Sequence, residues 1–510
     1  MDVLFINPCG AKKVYQALAK DYSAIETPTW SLLLAQSCRS RGFKVGILDA
    51  DAERLSDDNI VTRVNECKPR LVCFVVYGQN PNSGTTNMSG AVTAASKIKE
   101  NSASTTVGIV GSHVQSLPYE VLKNETCFDL IFLNEGVYSL WNLLNLKDLK
   151  DKSSLTNIKG IGFLKEGKPF LTKPEKVVPQ EKMDDHLPGY AWDLLPYKHN
   201  PLDLYRSPYW HAEYDHDKRT PFAAIYTSLG CQFKCSFCMI NMINRNDNQE
   251  IGVASNYRGM RFWSPKFIIK EFDKLYALGV RTLRISDEMF LLNRKYYLPL
   301  CKLLKERGYG EDMRMWAYSR IDTVKRKEDL AAVRAAGIKW LCLGIEAADT
   351  KVRLEITKGK FKDTDIREVV KMVHDADIEI IANYIFGLPK ESHESMQKTL
   401  DLSLELCTLA WNAYPAMALP GSLLFKQALN RNENLPTTYS GYSFHAYDTI
   451  PLPTENLTPA DIVKFRDEAF TTYHTHLPFL EKVERKFGKN ARKNIEKMTK
   501  IKLKRKLLGD

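Results

Sequence analysis

Cys231, Cys235 and Cys238 lie within eight positions of one another in Gly230-Cys231-Gln232-Phe233-Lys234-Cys235-Ser236-Phe237-Cys238. Three thiols this close can hold metal together. A structural zinc site normally takes four protein ligands, often as two separated pairs, and no fourth Cys or His lies nearby in the sequence. Three thiolates suit a 4Fe-4S cluster instead, each holding one iron and leaving the fourth iron open to a small molecule. Zinc, or a bare set of redox thiols, is the alternative. The other eight of the eleven cysteines are scattered. Cys73 and Cys342 fall in apolar, strand-like runs, where a free thiol acts as a small buried hydrophobe, and this usage predicts a reducing cytoplasm.

A ligand loop needs a rigid frame. Strand 223–229 leads into the cysteines, and beyond them helices 265–278, 294–307, 327–336, 364–376 and 392–406 alternate with strands 282–286, 313–317, 339–345, 379–386 and 410–416. Six such strands predict a partial (β/α)6 TIM barrel, whose site lies at the strand C-termini. Those ends carry Asp287 and Glu288, Arg320, Glu346, and Gly387 in a Gly-Leu-Pro turn. Charged residues in a barrel mouth either meet a ligand or pair with one another, as Arg320 and Glu346 would.

Residues 1–150 have the same alternation with shorter, continuously apolar strands at 3–6, 44–48, 71–76 and 106–110, the mark of a doubly wound parallel sheet covered on both faces. Its C-terminal edge supplies the turns Asn7-Pro8-Cys9-Gly10, Tyr77-Gly78-Gln79-Asn80, Gly111-Ser112-His113 and Asn134-Glu135-Gly136, and ligands bind along that edge. No Gly-x-Gly-x-x-Gly opens the first helix, which removes the main support for a dinucleotide. A hairpin and Pro-rich, aromatic segments at 151–215 read as a connector, 216–420 as the barrel, and 421–510 as a small, mostly helical C-terminal unit with a basic tail. The aromatic run 437–447 is either a pocket wall or a surface loop.

With 510 residues, 44% hydrophobic and 26% charged, the chain is globular, of about three domain-sized units. No apolar run approaches the ~18 residues of a membrane span, and the N-terminus reads as a strand. The tail Lys482–Lys506 holds twelve Lys and Arg against Glu484 and Glu496, nearly all of the net +11. It reads as a solvated terminal helix, with contact to an anionic membrane surface or a phosphate backbone as the sharper alternative.

Cys-x-x-x-Cys-x-Phe-Cys resembles the signature of radical S-adenosyl-L-methionine (AdoMet) enzymes, in which the open iron chelates the amino and carboxylate groups of AdoMet. Thr27-Pro28, Arg41-Gly42-Phe43, Val110-Gly111-Ser112-His113 and Asn134-Glu135-Gly136 resemble the cobalamin-binding domain fused to such enzymes, the class B radical SAM methyltransferases among them. The cobalamin-domain resemblance covers nearly all of 1–145. It departs from the family at Gly111-Ser112-His113, where Gly-Gly-x-His is usual, and at Asn134-Glu135-Gly136-Val137, where Gly-Glu-Gly-Glu is usual. The likeness to radical AdoMet enzymes implies that Phe237, Asp287, Glu288, Arg320, Glu346 and Gly387 meet AdoMet, with Asp287 or Glu288 on its ammonium, Arg320 on its carboxylate and Glu346 on its ribose. The likeness to the cobalamin-binding domain implies that Thr27, Tyr77, Gly78, Gly111, Ser112, His113, Glu135 and Gly136 line cobalamin. No Asp-x-His-x-x-Gly is present, and the resemblance implies a cobalt without a His ligand from the protein.

The function implied is methyl transfer from methylcobalamin to an unactivated carbon of a small molecule, after hydrogen abstraction by a 5'-deoxyadenosyl radical, in the cytoplasm and with a flavodoxin- or ferredoxin-type reductant. No catalytic side chain is singled out. A cobalamin-dependent cyclase or rearrangement enzyme has the same two domains. An RNA methylthiotransferase would need a second cysteine-ligated cluster in the first domain, and an Fe–S nucleic-acid-binding module rests only on the tail and three cysteines; a nucleic-acid partner is therefore disfavoured.

Overall fold

The computed structural model describes residues 1–10, 14–357, 361 and 364–510. In the first sheet, β1 (Val3–Asn7), β2 (Val45–Asp49), β3 (Leu71–Val76), β4 (Val107–Gly111) and β5 (Leu130–Phe132) run parallel in the order β2-β1-β3-β4-β5. Because successive side chains on a strand point to opposite faces, the continuous run in β3 feeds two cores. Leu71, Cys73 and Val75 pack on the side of helix Thr29–Arg39, and Val72, Phe74 and Val76 on the side of helix Gly84–Asn101. Burying a residue such as Phe74 completely contributes roughly 1.5–3 kcal/mol. The strand order reverses between β1 and β3, which opens a crevice at their C-terminal ends.

The hairpin expected in the connector, β6 (Ile161–Lys165) and β7 (Lys168–Leu171), joins this first sheet: β6 pairs antiparallel with β5, so the sheet has seven strands. The rest of the connector wraps the barrel. Trp192 donates to Glu271 (2.9 Å), Tyr190 bonds both backbone groups of Tyr226, and Trp210 closes the bottom against Trp316 and Trp340 at 4.8 and 5.3 Å.

The second sheet has six parallel strands, β8 (Phe222–Ile225), β11 (Thr282–Ile285), β12 (Arg314–Arg320), β13 (Ile338–Glu346), β14 (Glu379–Phe386) and β15 (Ala410–Pro415), in that spatial order with both edges open. The single strand expected at 223–229 is broken after Ile225. Its second half is β9 (Ser228–Cys231), paired antiparallel with β10 (Gly259–Phe262), which turns the cysteine loop out of the barrel wall. Helices between the barrel strands form where the apolar periodicity predicts them, for example Pro265–Ala277, N-capped by Ser264 with Pro at its first turn.

At the C-terminal end, Thr458 and Asp461 form a capping box on helix Pro459–Thr475, whose Ile462, Phe465, Ala469 and Tyr473 are buried. The basic tail is not a solvated helix. It forms helices Leu477–Phe487 and Lys489–Met498, which bury Phe479, Leu480, Val483, Ala491 and Ile495. The chain then folds back so that Arg505, 1% exposed, pairs with Asp467 (2.8 Å) and donates to the Ala446 carbonyl. Periodic apolar residues inside the charge run account for the docking. Among the described residues no helix is long and apolar enough to cross a membrane.

Candidate active site between the two sheets

Asp287 makes the break that presents the cysteines. One of its oxygens accepts from the Thr227 amide and the other from the hydroxyls of Thr227 and Ser228, all at 2.6 Å. A buried carboxylate with three donors holds the Tyr226–Thr227 corner, from which β9 carries Cys231 outward. Both oxygens are thereby engaged by the protein, which leaves Glu288 the freer of the two carboxylates. Glu288 is half-buried beside Arg284, and its carboxyl is pushed up to about 8, first by burial. No hydrogen bond to it is present among the described residues.

Each cysteine sulfur has a donor aimed at it. The Phe233 amide lies 3.4 Å from Cys231 Sγ, Arg320 Nη1 is 3.7 Å from Cys235 Sγ, and Asn82 Nδ2 is 3.7 Å from Cys238 Sγ. Asn241 clamps the Cys231 backbone from both sides, accepting from its amide (2.8 Å) and donating to its carbonyl (2.9 Å). Burial pushes the Cys235 thiol up to about 11 and the Cys231 thiol up to about 12, so thiolates form here in exchange for metal charge. Three sulfurs supplied with N–H donors fit the thiolates of a 4Fe-4S cluster, whose potential such bonds tune. Among the described residues no three Cys, His, Asp or Glu converge on the position of a single ion, whereas a cluster takes each thiolate on a separate iron.

Around the cysteines the mouth offers both charge and an apolar shelf. Arg320 does not pair with Glu346. Asp322 takes its Nε and Nη2 at 2.6 Å each, and the guanidinium lies 3.6 Å over the Phe233 ring. Glu346 ends β13 at a bulge with φ +68°, and burial pushes its carboxyl up to about 7. Phe237 packs with Ala347, Ile385, Leu388 and Ala416 into an apolar shelf. Gly387 has φ +76°, and a Cβ there would stand 2.7 Å from Ile462, so glycine is required by the helix packed over it. Glu391 accepts from the Leu388 amide and fixes this turn, a role no sequence pattern announced.

The edge of the first sheet faces the cysteine loop. Asn82, in the turn after β3, accepts from the Met239 amide (2.9 Å) while reaching Cys238. Tyr77, Gly78, Gly111, Ser112, His113, Glu135 and Gly136 all gather along this edge, but their side chains have protein partners. Tyr77 accepts from Gln115, Ser112 donates to the Pro81 carbonyl, and His113, held neutral by a pKa lowered to about 4 through burial, bonds Thr85 and meets Tyr439 edge-on. Glu135 pairs with Arg261 of β10 (2.8 Å) and accepts from the Val178 amide. Thr27 Oγ1 both donates to and accepts from the Ala224 backbone, covering the open edge of β8. Half-buried Gly78, Gln79, Asn80, Cys9 and Gly10 surround the crevice, and Gln115 Oε1 and Ser31 Oγ are buried without partners. Spare polar atoms beside an open crevice fit the amide-fringed corrin of cobalamin.

Arg261, Asn82, Asn241 and the pair Glu26–Arg284 were missed in the sequence. Asn80-Pro81-Asn82 is visible as turn chemistry, but its contact 156 residues downstream is not.

Comparison with known proteins agrees with this geometry. The family model described as the B12 binding domain matches residues 15–143, and that of the radical SAM superfamily matches 225–403. The chain is 24% identical over 431 residues to an uncharacterized methyltransferase of Pyrococcus horikoshii, covering 84% of each protein. It is 23% identical over 466 residues to the anaerobic magnesium-protoporphyrin IX monomethyl ester cyclase of Cereibacter sphaeroides, covering 87% of this chain and 66% of the cyclase. A solved structure of the radical S-adenosylmethionine methyltransferase TsrM from Kitasatospora setae, with tryptophan substrate and a SAM analogue bound, superposes with a TM-score of 0.64 over 98% of both chains. At 14% identity that last likeness is one of fold.

Proposed function

The chain is a radical SAM enzyme with a cobalamin-binding domain, and on that premise we propose that it transfers a methyl group to an unactivated carbon of a small molecule. One observation carries the reading: the crevice edge of the first sheet touches the cysteine loop through Asn82, which brings the two candidate cofactor sites side by side. When bound, the cluster with AdoMet supplies one-electron chemistry and cobalamin supplies the methyl group.

The chain's own part is placement. Cys231, Cys235 and Cys238 hold the cluster. Glu288 would accept from the N–H groups of the AdoMet amino nitrogen, the guanidinium of Arg320 would meet its carboxylate, Glu346 its ribose, and the Phe237 shelf its adenine. Interdomain ties from Thr27 to Ala224 and from Glu135 to Arg261 keep the two sites at a fixed separation, which a reaction between two cofactors and one carbon requires. Trp210 packs edge-on against Trp316 of the barrel wall. A reductant supplies electrons from outside.

A second reading is favoured by the likeness to the cyclase: the same sites serving ring formation. Anaerobic reconstitution with iron, sulfide and hydroxocobalamin, followed by reduction with AdoMet and candidate substrates, separates the two. Methyl transfer yields both 5'-deoxyadenosine and S-adenosylhomocysteine. Deoxyadenosine alone with cobalamin bound favours cyclisation or rearrangement, and neither product from a cluster-loaded enzyme turning over its substrate would overturn the radical reading.

A further inference from the structure

The basic tail keeps a face that its docking leaves uncovered. Helix Lys489–Met498 lays Ala491 and Ile495 against the protein, and Asn494 fixes it by donating to the Tyr214 carbonyl at 2.9 Å. Lys489, Lys493 and Lys497 follow one another at four-residue spacing on the side away from Ala491 and Ile495, all exposed. Lys500, Lys502, Lys504 and Lys506 continue the run along the chain that folds back, and they are exposed too.

None of these seven lysines is in an ion pair among the described residues. Nearby carboxylates are taken by other groups. Glu484 and Glu496 pair with Arg492 at 3.0 and 2.9 Å, and the Asp510 side chain accepts from the Arg505 amide at 2.7 Å. Of the acids on the two tail helices, Glu481 is left unmatched against the seven cations.

Apolar groups stand among the lysines. Lys506 donates its amide to the Tyr447 carbonyl at 2.8 Å, and the Tyr447 hydroxyl donates to the Asp510 carbonyl at 2.9 Å, so Tyr447 and residues 506–510 form one surface. The buried pair of Arg505 with Asp467 pins that surface, and Gln16 holds Lys504 by its amide and carbonyl at 3.2 and 3.1 Å. On it Tyr447 is 43% exposed and Leu508 is 41% exposed.

This mixture points to one kind of partner. Reading a phosphate backbone favours the arginine fork, yet both arginines after Gly488 are taken by protein carboxylates, Arg492 by Glu484 and Glu496 and Arg505 by Asp467. The lysines are point charges on flexible stems, suited to a diffuse negative surface. An exposed Leu and Tyr beside them can enter the boundary between headgroups and acyl chains while the ammonium groups stay outside it.

We propose that this C-terminal face binds an anionic membrane surface, the lysines through charge and Tyr447 and Leu508 through shallow insertion. The proposal is independent of the proposed reaction, because such binding requires neither AdoMet nor turnover.

The test is co-sedimentation of the anaerobically reconstituted full chain with vesicles of phosphatidylcholine alone or with about one third phosphatidylglycerol. The protein is expected to bind the mixed vesicles and to ignore the neutral ones. Replacing Lys489, Lys493 and Lys497 by Gln together is expected to weaken binding about a hundredfold, about fivefold for each lysine, and salt at about 0.5 M to remove the same contribution. Leu508→Ser is expected to weaken binding about fivefold, by a factor that salt does not change. Circular dichroism and iron content are expected to stay at wild-type values in both variants. Should the triple variant fold poorly, Gln at Lys500, Lys502 and Lys506 replaces it with the same expected loss.

Equal binding to neutral and anionic vesicles, no binding to either, or an affinity unmoved by the lysine variants overturns the proposal. Binding of single-stranded RNA more tightly than the vesicles, lost with the lysines and indifferent to Leu508→Ser, overturns it in favour of a nucleic acid. Either failure leaves the proposed methyl transfer untouched.

Discussion

The two cofactor-facing edges meet their ligands by different means. Along the first sheet, side chains singled out by the sequence are tied to protein: Thr27 to Ala224, Ser112 to Pro81, Glu135 to Arg261. In the barrel mouth, Glu288 and Glu346 make no hydrogen bond to other described residues, and burial, aided by Asp287 and Asp322 and opposed by Arg284 and Arg320, holds their carboxyls up at about 8 and about 7. The contrast follows from ligand size. A corrin fringed with amides is met by an open crevice, exposed backbone and shape, whereas the small zwitterionic end of AdoMet needs single charges aimed at it. Motif residues on the first edge thus build a surface, and those on the second are expected to touch the ligand.

The sharpest way to break this contrast is at the two extremes. Cys235→Ala is expected to abolish the iron–sulfur absorbance after reconstitution and all deoxyadenosine formation, because two thiolates leave a second iron unheld. Thr27→Val is expected to keep the cluster and bind AdoMet normally, losing only about 1 kcal/mol of stability in urea melts through the Ala224 bonds. A Thr27→Val protein that failed to load its cluster would erase the distinction between the two edges.

Neighbours Asp287 and Glu288 sharpen it within one edge. Asp287→Asn puts an amide where three donors converge, which is expected to cost about 2–4 kcal/mol of stability and to disorder the cysteine loop, read as poor cluster loading. Glu288→Gln is expected to leave melting and iron content unchanged and to weaken AdoMet binding by about 1.5–3 kcal/mol, a ten- to hundredfold rise in Kd by equilibrium dialysis. The reverse pattern would assign the amino group to Asp287.

A smaller effect comes from pH. Glu288 and Glu346 have folded-state pKa values raised by burial above the ordinary 4.5, to about 8 and about 7. Between those values the folded protein binds more protons than the unfolded chain, so their contribution to stability is full below about 4.5 and is lost as pH rises through 7 to 8. The N–H groups of an iron-bound AdoMet amino nitrogen offset that loss by donating to ionised Glu288. The increase in melting temperature on adding AdoMet is therefore expected to be larger at about pH 8.5 than at about pH 6, and Glu288→Gln should flatten the difference. A pH-independent increase would place the amino group elsewhere.

Much of the frame was legible because it is local. Continuous apolar runs alternating with helical patterns marked out both parallel sheets and most strand ends, and the spacing of Cys231, Cys235 and Cys238 identified the cluster loop. What escaped the sequence is long-range. Asp287 occupied by Thr227, Arg320 by Asp322 rather than Glu346, and Glu26 by Arg284 are choices among carboxylates and cations that only packing decides. The tail was misleading for a similar reason. Its charge count hid the apolar positions Val483, Ala491 and Ile495, which dock it.

The finest test of the two edges is the residue where they meet. Asn82 belongs to the crevice turn, yet its side chain accepts from the Met239 amide and donates toward Cys238, one partner fixing the rotamer and the other reaching sulfur. A hydrogen bond to a charged acceptor contributes about 1.5–3 kcal/mol, and a long N–H···S contact only a fraction of that. Because such a bond stabilises the more negative, reduced cluster, Asn82→Ala is expected to lower its midpoint potential by on the order of tens of millivolts while leaving iron content unchanged. Redox titration followed by electron paramagnetic resonance measures this directly. If the crevice turn holds the cluster loop in place, bound cobalamin should diminish or enlarge the Asn82→Ala shift, whereas a shift indifferent to cobalamin would mean that the two edges touch at Asn82 without acting on one another.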